Sequence, residues 1–400
     1  MLSRRTLLQA TAATALLPAA PAGAAETPGV TATEIRIGNT NAHSGPASAY
    51  GTIANVQAAY FDMVNAQGGI NGRKITFITL DDAYSPPRTV EQTRKLVEQE
   101  GVAFLFGGLG TPTQTAVRAY LNARRIPQLF LYTGAEKWAD PQHFPWTIGY
   151  NPSYQTEAII YAKYILKEKP DAKVAVLYQN DDFGKDYVIG LKKGLGDKYG
   201  RMVVKEVTYE TTDPTIDSQI VSLQGSGADV LVTAATPKFA AQAIRKVAAL
   251  NWHPLHIMTN VSISVASVLM PAGLENAKGL VSAAWGKDPT DKRWENDPAI
   301  KDWRAFMAKY MPGGDVTDAN NVSGVGGAMI MMQVLKQCGN DLSRANVMRQ
   351  AANLKDLEVP VLLPGMRVNT SPTDFHAIRS MQLERWTGTT WDLFGELITA

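Results

Sequence analysis

The sequence predicts an α/β protein built from two doubly wound parallel-sheet lobes. Three observations carry this reading. Short β-branched runs alternate with helix-period segments from Ile35 to about Leu354, the pattern of βα units wound into parallel sheets. Two stretches repeat one device: Val102–Thr113 and Asp229–Phe239 each run from a strand through a small-residue loop into Thr-Pro and a helix. The 400-residue length leaves room for more than one domain and for large cores.

The first unit is the most explicit. Ile35–Ile37 is a β-branched strand, Ser44-Gly45-Pro46 is a loop, and a helix-period segment runs from about Gly51 to Ala66. Gly68-Gly69-Ile70-Asn71-Gly72 turns the chain into the strand Lys74–Leu80. That strand ends at Asp81-Asp82, a pair expected to order the following loop, and Ser85-Pro86 opens the next helix, which includes Thr89–Glu100. Strands are expected again at Ala103–Phe106, Gln128–Tyr132, Lys173–Tyr178, Met202–Thr208, Val230–Thr233, His256–Thr259 and Leu280–Ala284. The helices between and after them are Thr113–Asn122, Tyr154–Lys167, Tyr187–Tyr199, Ile216–Gln224, Phe239–Leu250, Ile300–Lys309, Val322–Gln337 and Ser343–Leu354. Strand-like pieces return at Ser380–Trp386 and Trp391–Glu396.

In both repeated devices Thr suits the N-cap and Pro the first helical position. Gln114, three after Thr111, completes a capping-box pattern. Each half should therefore aim a helix N-terminus outward from the carboxyl edge of its sheet, and two such sheets facing each other would form a cleft. The loop Gly107-Gly108-Leu109-Gly110-Thr111 allows close backbone approach, and free N–H groups at a helix start attract anions. Thr111 either contacts a ligand carboxylate there or only caps its own helix. Its place at a sheet's carboxyl edge favours contact. Asp181-Asp182 reads as a solvated loop or the start of a helix, where negative charge is favoured.

The first 25 residues stand apart. Arg4-Arg5, an apolar stretch from Thr6 to Pro18 and Ala22-Gly23-Ala24 read as an export signal with an A-x-A cleavage site. Ser3-Arg4-Arg5-Thr6-Leu7-Leu8 also resembles a twin-arginine signal, the general secretory route being the alternative. Without residues 1–24 the chain has two fewer than its 39 basic side chains, against 37 acidic ones. A neutral balance argues against a nucleic-acid surface. The single cysteine, Cys338, ends a helical pattern and reads as structural; none lies at the cleavage region to carry a lipid anchor. Enzyme signatures are missing. No P-loop and no G-x-S-x-G elbow occurs, Gly108-x-Gly110-x-x-Thr113 lacks the third glycine of a dinucleotide fingerprint, and Pro254 spoils the spacing of His253 and His256 for zinc. No cofactor is expected.

Several of these pieces together resemble the periplasmic Leu/Ile/Val-binding proteins of ABC transporters. They are Ser44-Gly45-Pro46 with Tyr50-Gly51, then Asn65-Ala66-x-Gly68-Gly69-Ile70-Asn71-Gly72, then Asp81-Asp82-Ala83. The resemblance covers essentially the whole chain after the signal. It implies a type I periplasmic binding fold whose lobes, residues 27–149 with 284–363 and 150–283 with 364–400, are joined by three hinge crossovers. It implies a monomer in the periplasm that binds a small carboxylate-bearing molecule, catalyses nothing and docks on a permease in the inner membrane. A ligand sensor of the same fold, or an exported α/β hydrolase, would be the alternatives.

The resemblance also places the site. Thr111, with Leu109 and Gly110, matches the loop that holds the ligand carboxylate, and backbone groups at Gly134 and Ala135 would complete it. Tyr50 matches a tyrosine lying against the ligand side chain, a half-buried tyrosine opening a helix being the alternative, while Tyr150 and Trp285 fall near the hinge. Trp138 would either wall the cleft or pack on its neighbours. On the second lobe the pattern departs. The place of an acid that receives the α-ammonium holds Asn260, and the typical tyrosine positions hold Phe183 and Thr236. That implies a less charged wall, which an aromatic acid would suit at least as well as an amino acid.

Overall fold

The structure, a computed structural model, describes residues 27–399; the expected signal at 1–25 lies outside them. Twelve strands form two sheets. Strands β1 (Glu34–Asn41), β2 (Lys74–Asp81), β3 (Phe104–Phe106), β4 (Gln128–Leu131) and β5 (Thr147–Gly149) form a parallel sheet in the order β2-β1-β3-β4-β5. The second sheet holds β6 (Val174–Gln179), β7 (Val203–Tyr209), β8 (Val230–Ala234), β9 (Leu255–Met258) and β10 (Val281–Ala284), with β11 (Ser380–Trp386) and β12 (Trp391–Thr399). Its order is β12-β11-β10-β9-β8-β6-β7; only the last hairpin, β11 and β12, is antiparallel.

The order 2-1-3-4-5 recurs as 7-6-8-9-10, so the likeness between the halves is a likeness of topology. In each sheet the first strand has its successors on opposite sides. The loops leaving β1 and β3, and those leaving β6 and β8, therefore splay apart at a topological switch point, where open α/β sheets hold ligands.

The helices are α1 (Gly51–Ala66), α2 (Pro86–Glu98), α3 (Thr111–Ala123), α4 (Tyr154–Glu168), α5 (Asp182–Leu195), α6 (Tyr199–Met202), α7 (Asp217–Gln224), α8 (Pro237–Ala249), α9 (Met270–Ala272), α10 (Pro298–Tyr310), α11 (Ala319–Cys338) and α12 (Arg344–Ala351). The chain leaves the first sheet after β5 and builds the second through β10. It then returns as α10 and α11, which pack on α1, and crosses back for the final hairpin. The chain thus passes between the two layers three times. Cys338 is buried at the end of α11, as expected.

Three sequence expectations need correction. Helix α5 begins at Asp182, not near Tyr187, because the Asp181 carboxylate accepts from Phe183 N and Gly184 N and starts the helix there. Strand β1 runs on through Asn39, Thr40 and Asn41, whose polar side chains look like loop. All three are buried, and Asn39 Nδ2 donates to Phe106 O at 2.8 Å. The capping box at Thr111 does not form. Thr111 is the first helical residue of α3, Gly110 at φ 93° is its N-cap, and Gln114 Nε2 turns instead to Thr40 Oγ1 at 3.1 Å. Asp81 and Asp82 order their loop as expected: Asp81 accepts from Ser44 N and Ala83 N, and Asp82 from Tyr84 N and Thr89 Oγ1.

Candidate functional site

The carboxyl edges of the two sheets face one cavity, with about 1020 Å3 of atom-free space when its mouth is included. Eight of the expected contacts line it: Tyr50, Leu109, Gly110, Thr111, Tyr150, Phe183, Thr236 and Asn260. Gly134 and Ala135 do not. The Tyr154 ring stands between, its backbone N–H donating to Gly134 O at 2.8 Å. Both residues line a separate small recess with Trp138 and His376. Trp138 is a packing residue, its Nε1 donating to Thr133 Oγ1 at 3.1 Å.

On the first-sheet side, Thr111 Oγ1 lies 2.6 Å from Thr133 Oγ1, at the N-terminus of the 13-residue α3. The first-turn N–H groups of a helix lack intrahelical partners and carry its positive end. Gly110 is required where it stands: a Cβ there would come 2.5 Å from the Tyr84 ring. Tyr84 was not anticipated. It reaches the cavity because Ala83 and Tyr84 are consecutive left-handed residues, at φ 50° and 59°, held by Asp81 and Asp82. Strain of this kind concentrates at ligand sites.

Aromatic rings form much of the wall. Tyr132 and Tyr150 lie 4.8 Å apart, and Tyr150 meets Trp285 edge-on at 5.2 Å. Both tyrosine hydroxyls donate to Ser323 O on α11. Glycines 326 and 327 of that helix admit them, since a Cβ would come within 2.8 Å of the Tyr150 hydroxyl and 2.3 Å of that of Tyr132. Opposite, Tyr154 and Phe183 meet edge-on at 5.0 Å. Tyr50 ties the two sides together, its hydroxyl donating to Val261 O at 2.9 Å.

Asn260 is not a simple neutral replacement for an acid. Its backbone N–H and Nδ2 both donate to Glu157 of α4, which is fully buried and also accepts from the hydroxyls of Tyr161 and Tyr187. Burial pushes the Glu157 carboxyl up to about 7 against the pull of these donors. Beyond the wall of Phe183, Thr236 and Asn260, the charged side chains of Lys287, Asp288 and Glu384 line the cavity as well. Lys287 and Asp288 come from the segment leaving β10 and Glu384 from β11, so no local motif groups them.

A cavity at the facing switch points of two such layers defines a two-lobed α/β ligand-binding protein. The chain belongs to the periplasmic binding protein family, whose model matches residues 34–390. A curated relative from Brucella melitensis, Leu/Ile/Val-binding protein homolog 3, is 26% identical over 219 residues, 50% of this chain and 53% of its own. The match thus spans about half of that relative. The fold is shared with a branched chain amino acid ABC transporter from Thermus thermophilus with bound valine. The TM-score is 0.82 at 16% identity, over 93% of this chain and 98% of that one. It is shared equally with a fatty acid ABC transporter substrate-binding protein from Thermomonospora curvata, with TM-score 0.80, 21% identity and 95% and 96% coverage. Among the described residues no helix is long and apolar enough to cross a membrane.

Proposed function

We propose that this protein is the substrate-binding component of an ABC importer of the branched-chain amino acid type. It captures a small carboxylate-bearing ligand in the cavity and delivers it to a permease in the inner membrane. The observation that carries this is the aromatic-lined cavity at both switch points, with the start of α3 and Thr111 at one wall. In this reading residues 1–25 direct export to the periplasm and the protein acts as a monomer without a cofactor. Residues 27–149 with 284–363 form one lobe and 150–283 with 364–400 the other. Tyr150 and Trp285 stand at the hinge, and the ligand favours closure by touching both lobes. The protein binds and releases its ligand unchanged.

The test is a thermal-shift panel on purified protein with leucine, valine, benzoate and cinnamate. A ligand that binds only the folded state raises the melting temperature. Thr111→Ala is expected to weaken a carboxylate ligand by about tenfold or more, the loss of one hydrogen bond to a charged group. A panel without any shift, or undiminished carboxylate binding by Thr111→Ala, would refute the reading.

A further inference from the structure

Two of the three crossings run side by side at the small recess beside the cavity. Asn151 and Ser153 belong to the crossing after β5, and Phe375 and His376 to the segment that leads into β11. The loop after β4 forms the rest of the recess. Asn151 also lines the cavity, so the two share a wall.

Glu136, in the loop after β4, joins these segments. Its Oε2 accepts from the hydroxyl of Ser153, the N-cap of α4, and its backbone N–H donates to Asp186 Oδ2 on α5 at 2.8 Å. Its Oε1 lies 3.3 Å from His376 Nε2. The other ring nitrogen, His376 Nδ1, lies 3.2 Å from Asp374 Oδ1. A neutral imidazole has one N–H and donates to only one of these carboxylates, whereas imidazolium donates to both. The arrangement is therefore complete only when both ring nitrogens carry a proton.

The other charges around the recess are committed elsewhere. Arg379 donates to Asp374 Oδ2, Lys193 Nζ donates to Gln155 Oε1 at 2.6 Å, and Lys137 Nζ pairs with Asp182 at 2.6 Å. Asp186 accepts from Gln155 Nε2 at 2.7 Å as well as from Glu136 N. The His376 ring holds the Glu136 carboxyl below its ordinary value against the effect of burial, with a smaller pull from Lys193. Glu136 thus stays ionised near neutral pH, and histidine is the side chain whose charge changes between about pH 5 and 8.

We propose that Glu136 and His376 form a protonation-dependent clamp at the hinge. Imidazolium pins two crossings to the loop after β4 and favours the arrangement of the two layers seen here; loss of its proton frees the last crossing. The clamp rests on the crossings acting as a hinge and is independent of which ligand is bound. A proton and a ligand that favour the same arrangement favour each other. The His376 and Glu136 side chains are 32% and 41% exposed. Ligand affinity is therefore expected to be about two- to fivefold higher near pH 5.5 than near pH 8, the range of a part-exposed ion pair.

The first test is small-angle X-ray scattering of the full ligand-free protein at about pH 5.5 and about pH 8, on either side of the imidazole range. The radius of gyration of the parent is expected to grow at the higher pH. His376→Gln and Glu136→Gln should each keep the larger value at both. His376→Arg, a permanent cation with several donors, should keep the smaller value at both. A parent radius that does not change with pH, or a His376→Gln variant that changes as the parent does, would overturn the clamp. The second test is calorimetric titration at the two pH values with whichever of leucine, valine, benzoate and cinnamate binds. Equal pH dependence of affinity in the parent and His376→Gln would also overturn it. If none of the four binds, the transport reading fails, and the scattering still decides the clamp.

Discussion

Replacing Glu157 with alanine is expected to lower folding stability by about 2–4 kcal/mol, since a buried polar group left without its partner costs about 1–3 kcal/mol. Four donors converge on this carboxylate: Tyr161 Oη at 2.5 Å, Tyr187 Oη at 2.7 Å, and Asn260 through its backbone N–H at 2.8 Å and its side chain. Alanine leaves the two Asn260 donors without their acceptor, while the Tyr161 hydroxyl keeps Met258 O and the Tyr187 hydroxyl keeps Thr259 Oγ1, and each orphaned group carries its own desolvation penalty. The wall of the cavity would also loosen, since Asn260 takes its orientation from Glu157. Urea unfolding of the parent and variant measures the loss. A difference below about 1 kcal/mol would show that the network contributes little.

The same residue sets a pH dependence. Burial raises its carboxyl from the ordinary 4.5 to about 7 in the folded protein. The folded state therefore holds a proton that the unfolded chain has released. Its contribution is fully present below about pH 4.5 and is lost as pH rises through about 7. One pH unit of full difference corresponds to about 1.4 kcal/mol. Asp82, Asp181 and Asp288, each raised to about 6, act in the same direction. Buried His256, lowered to about 3, opposes them as pH falls below its ordinary 6.5. Only the difference between parent and Glu157→Gln isolates Glu157. The variant is expected to lose less stability than the parent between pH 5 and pH 8, and equal slopes would refute the assignment.

Gly134→Ala is expected to destabilise the fold by about 3 kcal/mol, at the upper end of overpacking. A Cβ at this position would lie 2.1 Å from Pro152 O and 2.9 Å from two carbons of the Tyr154 ring. The carbonyl belongs to the chain crossing between the layers, and Tyr154 N is hydrogen-bonded to Gly134 O, so neither neighbour moves independently. Displacing the Tyr154 ring intrudes on the cavity, and ligand affinity should fall along with stability. If Gly134 served only to present its N–H to a ligand, alanine would keep that donor and leave the unfolding midpoint unchanged. Denaturant unfolding separates the two roles.

The fold was legible because strands buried on both faces read as apolar β-branched runs, and because Gly and Pro punctuate the loops between them. What escaped had local causes. Strand β5 is three residues long, too short for any period to show. The polar end of β1 is stabilised by partners on β3, which neighbouring residues do not reveal. The site divides in the same way. Tyr50, Thr111, Phe183 and Thr236 stand at the starts of the helices that follow β1, β3, β6 and β8, and so mark the switch points. Tyr84 needed two consecutive left-handed residues, a backbone choice with no signature beyond the Asp pair that holds it. Glu157 did leave a trace, an acid four residues before Tyr161 on a helix otherwise buried along that face. Glu384 left none, since it comes from a hairpin far downstream.

That hairpin has a consequence for how the molecule matures. Strand β11 pairs with β10 and supplies the last wall of the cavity, although roughly 330 residues separate Glu384 from Tyr50 on the opposite side. A chain still being synthesised, or one clipped before Ser380, has its aromatic wall and its α3 terminus but an open flank. Such a chain lacks one face of the cavity however well its earlier strands have paired. On the proposed function, a chain ending before Ser380 is expected to bind the ligand more weakly than the whole one, and calorimetric titration of the two compares them.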